Sequence, residues 1–138
     1  MTYLLDTNVV SQAGRRRPDH SVLEWLAKTS PHERHLSVLT LGELRRWVEL
    51  RRRTDTVAAV ALEQWVGKIV ASYGRRIVPV TSEVAQRWGL LGVPDPVPDI
   101  DGLLAATALV HDWTVVTRNT ADFARTGART FDPFTPER

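Results

Sequence analysis

Short apolar runs that look like strands alternate along this chain with longer segments of helical periodicity, and this alternation restricts the fold more than any other feature. Strand-like runs are predicted at residues 3–6, 34–40, 76–80, 113–117 and 128–133. Helices are predicted at residues 19–28, 40–53, 55–73, 81–91 and 101–112, with Thr40 as the cap of the second. Strands that alternate with helices predict one α/β domain whose parallel sheet is covered on both faces.

Length and composition agree with a single domain over residues 1–138. Apolar residues make up 43% of the chain, but no apolar stretch approaches the ~20 residues that a membrane span needs. The first residues lack the basic start and apolar core of a signal peptide, so we expect a cytoplasmic protein without a membrane anchor. The chain has no cysteine, which excludes disulfides, thiolate metal sites and a thiol nucleophile.

The first strand-like run ends abruptly on a carboxylate, in the stretch YLLDTNVVS at residues 3–11. Asp6 follows the apolar run directly, and Asp122 lies five residues past the strand-like WTVVT. Open parallel sheets bind ligands outside the carboxyl ends of their strands, so both acids are candidates for a functional site. Each also has a plain structural alternative, because Asp6 can cap a turn that begins near Thr7 and Asp122 can lie in the first turn of a short helix.

Two further acids lie on predicted helices. Glu43 shares a helix face with Leu39 and Trp47 at the edge of an apolar stripe, where a lone acid is usually a surface residue. Asp101 begins the alanine-rich helix DGLLAATAL, whose small residues allow a close approach to the sheet. Asp99 is the competing candidate at this position, or the N-cap of the same helix.

Convergence of these acids would require an explanation. Two carboxylates ~4 Å apart repel by roughly 4 kcal/mol at an effective dielectric constant near 20, so a group of them binds either protons or a cation. Oxygen ligands without cysteine or paired histidines select Mg²⁺ or Mn²⁺ rather than zinc. The four histidines of the chain show no spacing typical of metal ligands.

The positive charge of the chain is mostly arginine and is clustered. Arginine forks match the geometry of phosphate groups, although the common structural explanation for any one cluster is a solvated helix face. One cluster, Arg15–Arg17, follows the first acidic motif. The arginines that follow the Glu43 motif are the predicted contacts to RNA or to a protein partner: Arg45, Arg46, Arg51, Arg52 and Arg53.

Four segments together resemble the PIN-domain ribonucleases, in particular the VapC-type toxins of bacterial toxin–antitoxin pairs. They are YLLDTNVVS, LSVLTLGEL, DIDGLLAATAL and VVTRNTADF, they occur in the order found in the family, and they span almost the whole chain. The resemblance matches Asp6, Glu43 and Asp101 to the acids that hold the metal, and Asp122 to the fourth acid. The predicted supporting residues around them are Thr7, Asn8, Thr40, Asp99, Thr117 and Asn119.

The resemblance implies a three-layer α/β/α sandwich with a central parallel sheet and a Mg²⁺- or Mn²⁺-dependent endoribonuclease that cleaves RNA with a metal-activated water. Asp6 and Asp101 are the expected metal ligands, joined by Asp122 or Glu43. The resemblance also implies a frequent homodimer and a small VapB-like antitoxin whose C-terminal segment covers the site in a toxin–antitoxin hetero-oligomer. Trp47 and Trp65, on the two middle helices, are predicted to help form a groove for that antitoxin.

Three alternatives depend on other features. A receiver domain would need a lysine near a late strand, whereas both lysines lie on predicted helices. A haloacid-dehalogenase-like phosphatase would need a second aspartate at position 8, where this chain has Asn8. The main rival is a non-catalytic RNA- or partner-binding module of the same fold, which would keep the arginine clusters without needing the four acids.

Overall fold

The computed structural model describes residues 1–136, in which a five-stranded parallel sheet lies between two layers of helices. The strands are β1 (Tyr3–Leu5), β2 (Arg34–Ser37), β3 (Ile77–Val78), β4 (Thr114–Val116) and β5 (Thr130–Phe131). The helices are α1 (Thr7–Val10), α2 (His20–Lys28), α3 (Val38–Arg52), α4 (Thr56–Tyr73), α5 (Ser82–Leu91), α6 (Asp99–His111) and α7 (Thr120–Phe123). This arrangement confirms the predicted α/β/α sandwich.

The order of strands across the sheet is β3-β2-β1-β4-β5, and every neighbouring pair is parallel. From β1 the chain builds the sheet outward through β2 and β3, and it then crosses to the other side of β1 to form β4 and β5. The order in which strands are added across the sheet therefore reverses between β1 and β4. In open α/β sheets the carboxyl ends of the strands at such a reversal form the ligand-binding crevice.

Each central strand contributes side chains to two separate cores. Leu5 of β1 and Val116 of β4 pack with α1, α2, α3 and α4 on one face, whereas Leu4 and Val115 pack with α6 and α7 on the other. Successive side chains of a strand point to opposite faces, so a short, wholly apolar strand is buried on both sides. The short apolar runs of the sequence are thus explained by helices that cover both faces of the sheet.

The strand predicted at residues 34–40 ends at Ser37, and the prediction of Thr40 as the helix cap is wrong. Ser37 is the N-cap of α3, because its hydroxyl oxygen accepts a hydrogen bond from the amide of Leu39 at 3.1 Å. The residues after Ser37 continue an apolar run and therefore resemble strand in the sequence. Thr40 is instead fully buried within the first turns of α3.

The helix predicted to begin at Asp101 begins two residues earlier, at Asp99, with Pro98 in the N-cap position. Asp101 therefore lies inside the first turn of α6. The structure also adds the short helix α1 and a 3-10 turn at Ser11–Gly14, which complete the connection after β1. Within the described residues, no helix combines the length and apolar character needed to cross a membrane.

Candidate active site

Two side chains meet at the carboxyl ends of β1 and β4, the pair of strands at which the order of strand addition reverses. Asp6 follows β1 and Thr117 follows β4, and the amide of Asp6 donates to the carbonyl oxygen of Val116 at 2.9 Å. The two residues are 111 positions apart in sequence, yet the Thr117 hydroxyl donates to Oδ2 of Asp6 at 2.7 Å. Parallel pairing of β1 with β4 therefore creates the first contact of the site.

The Asp6 carboxylate is buried and held at both oxygens. Its Oδ1 accepts from the amide of Thr7 at 2.7 Å, which makes Asp6 the N-cap of α1. Its Oδ2 accepts from Thr117 and, at 3.5 Å, from the amide nitrogen of the Asn8 side chain. The capping role expected from the sequence is thus present, and it leaves a carboxylate with a fixed orientation at the end of the central strand.

Asn8 connects the two strand ends a second time. Its side-chain nitrogen donates to the Thr117 hydroxyl at 3.4 Å, and its side-chain oxygen accepts from the amide of Arg118 at 3.2 Å. The amide of Asn119 also donates to the Thr117 hydroxyl, at 3.0 Å. Thr117 is completely buried, so this network fixes the loop that leads from β4 to α7. Asn119 occupies the N-cap position of α7 without a capping side-chain hydrogen bond.

Glu43 is brought to the site by a hydrogen bond between two helices. The Thr7 hydroxyl, on α1, donates to Oε1 of Glu43, on α3, at 2.6 Å. Thr7 thus joins the two acids, since its amide contacts Asp6 and its hydroxyl contacts Glu43. Thr40, one turn earlier on α3, has a buried hydroxyl without a hydrogen-bond partner among residues 1–136.

The four predicted acids act on one another electrostatically. Burial raises the pKa of Asp101 to about 6, and repulsion from Asp6, Asp122 and Glu43 adds to the increase. Burial also raises the pKa of Asp6, although the hydrogen bonds from Thr117 and Thr7 oppose this, and Glu43 and Asp122 add repulsion. The structure therefore places acids from four separate elements, the β1 end, α3, α6 and α7, within electrostatic range of one another.

Asp99 differs from its neighbour Asp101. It is exposed at the start of α6 and lines a separate cavity of about 130 Å³ with Trp88 and Val97. It is not among the charges that raise the pKa of Asp101 or Asp6. The structure therefore separates the two candidates that the sequence left open at this position.

The donor set fits a hard divalent cation in its chemistry. Among residues 1–136 none of the four carboxylates forms an ion pair, so their mutual repulsion is not neutralised by a basic side chain. Carboxylate oxygens are the ligands that Mg²⁺ and Mn²⁺ prefer. Within the same residues, however, no three acidic or histidine side chains stand in a ready-made metal-binding arrangement. Coordination of a cation would therefore draw the acids closer together.

The arginines predicted to contact RNA or antitoxin fall into two groups. Arg45 and Arg52 are tied to the neighbouring helix, where both contact Glu63, at 2.6 and 3.3 Å, and Arg52 also contacts Glu49. These exposed pairs link α3 with α4. The other three are exposed and form no ion pair with another described residue: Arg46, Arg51 and Arg53.

Comparison with known proteins gives a family match over nearly the whole chain. The family model of the PIN domain matches residues 3–129. Toxin FitB of Neisseria gonorrhoeae is 33% identical over 138 residues, which cover 95% of this chain and 97% of FitB. The VapC ribonuclease Y4jK of Sinorhizobium fredii is 28% identical, over 96% of this chain and 98% of its own.

Solved structures give the same result for the fold. The crystal structure of FitAcB from Neisseria gonorrhoeae superposes with a TM-score of 0.88 at 30% identity, covering 96% of this chain and 98% of that one. The DNA-bound VapBC from Salmonella typhimurium superposes with a TM-score of 0.76 at 22% identity, covering 96% and 98%. The second likeness is one of fold alone.

Proposed function

Because this chain belongs to the PIN-domain family, we propose that it is a metal-dependent endoribonuclease and the toxin of a toxin–antitoxin pair. The observation that carries the proposal is the electrostatic repulsion among four carboxylates, from four separate elements, that form no ion pair with another described residue. A protein that only bound RNA or a partner would gain nothing from this repulsion. The ribonuclease name of a relative supports the choice of RNA as the substrate.

In the proposed reaction, Asp6 and Asp101 would hold Mg²⁺ or Mn²⁺, and Asp122 or Glu43 would complete the site. A bound divalent cation would lower the pKa of a water molecule and stabilise negative charge on the phosphate and on the leaving oxygen. Thr117 and the amide of Thr7 orient the Asp6 carboxylate, and the Thr7 hydroxyl orients Glu43. These short hydrogen bonds set the orientation of both carboxylates before a substrate binds.

The chemistry of the products follows from the residues present. No lysine or histidine is placed by a motif to assist attack by the ribose 2′-hydroxyl. We therefore expect water to be the nucleophile and the products to carry 5′-phosphate and 3′-hydroxyl ends. Products with a 2′,3′-cyclic phosphate would contradict attack by water, whatever the fold.

The test is cleavage of single-stranded RNA by purified protein in EDTA, Mg²⁺ and Mn²⁺. We expect cleavage only with added metal. The Asp101→Asn variant should lose about 100-fold or more in rate, because loss of a metal ligand removes roughly 3 kcal/mol or more of transition-state stabilisation. Asp99→Asn is the matched control, two residues away on the same helix and exposed, and should keep nearly full activity. Equal rates for both variants would contradict the assignment of Asp101.

The names of the structural relatives support an antitoxin partner. Toxin FitB is 33% identical to this chain, and the FitAcB structure from the same organism is 30% identical. For this chain we propose a cognate VapB-like antitoxin whose C-terminal segment covers the acids, in a hetero-oligomer built on a toxin homodimer. We also propose a cytoplasmic location, where RNA and antitoxin are both available. Addition of the antitoxin should abolish RNA cleavage and increase the mass of the assembly in light scattering.

A further inference from the structure

A groove lies on the face of the sheet that α3 and α4 cover. Its volume is about 890 Å³, and its walls come from the Arg15–Arg17 segment, α3 and α4. We call it the arginine groove. Four of the residues that line it are arginines, none is acidic, and two tryptophans form much of its floor: Arg15, Arg16, Arg17, Arg51, Trp47 and Trp65.

The charge of the arginine groove is not neutralised within the described chain. Arg45 and Arg52, on the same helix, are paired with glutamates. None of the four groove arginines forms an ion pair with any residue between positions 1 and 136. The arginines of α3 thus differ, since Arg45 and Arg52 are paired with glutamates whereas Arg51 lines the cavity without an ion pair to another described residue. The occupant that complements this groove is negatively charged.

One arginine of the groove is held in place by an aromatic ring. The guanidinium carbon of Arg15 lies 5.3 Å from the centroid of the Trp47 ring, and Trp47 meets Trp65 edge to face at 6.1 Å. A guanidinium over an aromatic face keeps the donors on its edges available for phosphate oxygens. The preceding residue, Gly14, packs so closely on Trp65 that a Cβ there would lie 2.8 Å from the ring. The segment that carries Arg15 is thereby seated against α4.

Helix α3 carries both Glu43 and two of the residues that line the arginine groove, Trp47 and Arg51. Glu43, Trp47 and Arg51 succeed one another at intervals of one helical turn, so Trp47 lies ~6 Å and Arg51 ~12 Å along the axis from Glu43. A nucleic-acid strand with its scissile phosphate at the acids would reach the groove with its neighbouring nucleotides. An acidic peptide could satisfy the charge, but this alignment with the acids favours the substrate strand.

We propose that the arginine groove binds the backbone of the single-stranded RNA on one side of the cleaved bond, with Arg15 and Arg51 as phosphate contacts. Trp47 is a positioning residue that holds the Arg15 guanidinium. This inference rests on the proposed ribonuclease function and adds the path of the substrate across the surface. The antitoxin, for which a groove at Trp47 and Trp65 was predicted from the sequence, is the alternative occupant that the experiment excludes or reveals.

The test is the salt dependence of RNA binding, measured in EDTA by the fluorescence anisotropy of a short labelled single-stranded RNA. Each phosphate contact to a single strand contributes about 0.7 to the slope of log affinity against log salt. Arg15→Gln and Arg51→Gln should each lower the slope by about 0.7. Arg75→Gln is the control, because Arg75 is exposed and precedes the edge strand β3, whereas Asp6 follows the carboxyl end of the central strand β1. Its slope should equal that of the wild type.

Two further variants test the role of Trp47. Trp47→Leu should reproduce the loss of slope seen in Arg15→Gln, and the two substitutions combined should lose no more than either alone. Trp47→Phe, which keeps an aromatic face, should restore the slope. A merely structural role for Trp47 would lower protein stability in both variants without this pattern in the salt dependence.

The outcomes separate this proposal from the function on which it rests. Unchanged slopes in Arg15→Gln and Arg51→Gln, with RNA still cleaved by the wild type, would overturn the groove proposal alone and assign its charge to a protein partner. Reduced slopes in a protein that cleaves no RNA with either metal would support the groove as an RNA site and refute the nuclease assignment. In a cleaving protein, loss of groove contacts should raise KM by several-fold and leave kcat nearly unchanged.

Discussion

At the scale of single residues, each oxygen of the Asp6 carboxylate has its own hydrogen-bond donor. Oδ1 accepts from the amide of Thr7, and Oδ2 accepts from the Thr117 hydroxyl. An asparagine at position 6 would place an NH₂ group where one of these acceptors lies. Asp6→Asn therefore changes both charge and hydrogen bonding. Asp101 is a cleaner probe of repulsion, because its carboxylate forms no hydrogen bond with the described residues and its pKa is raised to about 6.

The raised pKa of Asp101 predicts how stability depends on pH without metal. The folded-state pKa of about 6 exceeds the ordinary aspartate value of 3.8, so the folded protein binds more protons than the unfolded chain between these pH values. The free energy of unfolding in EDTA should therefore fall as pH rises from about 4 to about 6. Chemical denaturation across this range measures the effect as the difference between wild type and Asp101→Asn. Asp99→Asn should follow the wild type, and a wild type that gained stability relative to Asp101→Asn would contradict the pKa direction.

Two glycines test the packing beside the arginine groove. A Cβ at Gly14 would lie 2.8 Å from the Trp65 ring, which packs against the core, so Gly14→Ala should lower the free energy of unfolding by about 1–3 kcal/mol. Gly67 lies in α4, and a Cβ added there would have no heavy atom outside its own helix backbone within 4 Å. Gly67→Ala should raise the free energy of unfolding by about 0.5–1 kcal/mol, because alanine favours helix. Urea denaturation of both variants provides the comparison, and equal effects would refute the tight contact.

At the scale of elements, the site depends on the contact between the first turn of α1 and the N-terminal half of α3. α1 begins at the end of β1, and its first residue contacts both Asp6 and Glu43. α3 supplies Glu43, which is one of the four acids, and Arg51, which lines the arginine groove. Capping of α3 by Ser37 instead of Thr40 allows the helix to begin directly after β2. The helix thus connects the acids with the groove in one rigid element.

Removal of the Thr7 hydroxyl tests the link between α1 and α3. Thr7→Val keeps the shape of the side chain and the amide contact to Asp6, but it loses the 2.6 Å hydrogen bond to Glu43. We expect a loss of about 1 kcal/mol in the free energy of unfolding and at least about tenfold in the cleavage rate. Thr7→Ser retains the hydroxyl and should keep most of both. A valine variant as active as the wild type would show that Glu43 needs no support from α1.

At the scale of the whole molecule, the fold keeps together acids that repel one another. They lie on the β1 end, α3, α6 and α7, and the two apolar cores on opposite faces of the sheet keep these elements in place. The hydrophobic burial in these cores opposes the electrostatic cost of the site. A divalent cation would remove part of that cost, so metal binding and global stability should be linked.

Thermal melting measures this linkage. A ligand that binds only the folded state at a concentration 100 times its Kd adds about 2.7 kcal/mol to the free energy of unfolding, which for a domain of this size raises Tm by roughly 10 °C. We expect such a rise for wild type on addition of Mg²⁺ or Mn²⁺ and a much smaller rise for Asp101→Asn. In EDTA the same variant should melt at or above the wild-type temperature. Equal responses of both proteins to metal would remove Asp101 from the ligand set.

The sequence by itself determined the alternation of strands and helices, the burial of the short apolar runs and the position of Asp6 at a strand end. These properties are local, because periodicity and composition report which side chains of one element are buried. The four acidic positions were also predicted from the sequence, through the motifs YLLDTNVVS, LSVLTLGEL, DIDGLLAATAL and VVTRNTADF. The starts of helices were predicted less accurately. The structure begins α3 directly after Ser37 and α6 at Asp99, both earlier than predicted. At α3 the apolar run continues past the capping residue, so the sequence pattern does not mark where the strand ends and the helix begins.

Only the tertiary structure decided which strands become neighbours and which distant side chains meet. Parallel strands pair through backbone groups that are the same in every residue, so nothing local specifies that β4 lies beside β1 and brings Thr117 to Asp6. The separation of Asp99 from Asp101, the raised pKa of Asp101 and the joining of Arg15 with Trp47 likewise depend on how the helices pack. Desolvation and charge repulsion arise only when residues from different elements share a space, and no single segment of the sequence contains that information.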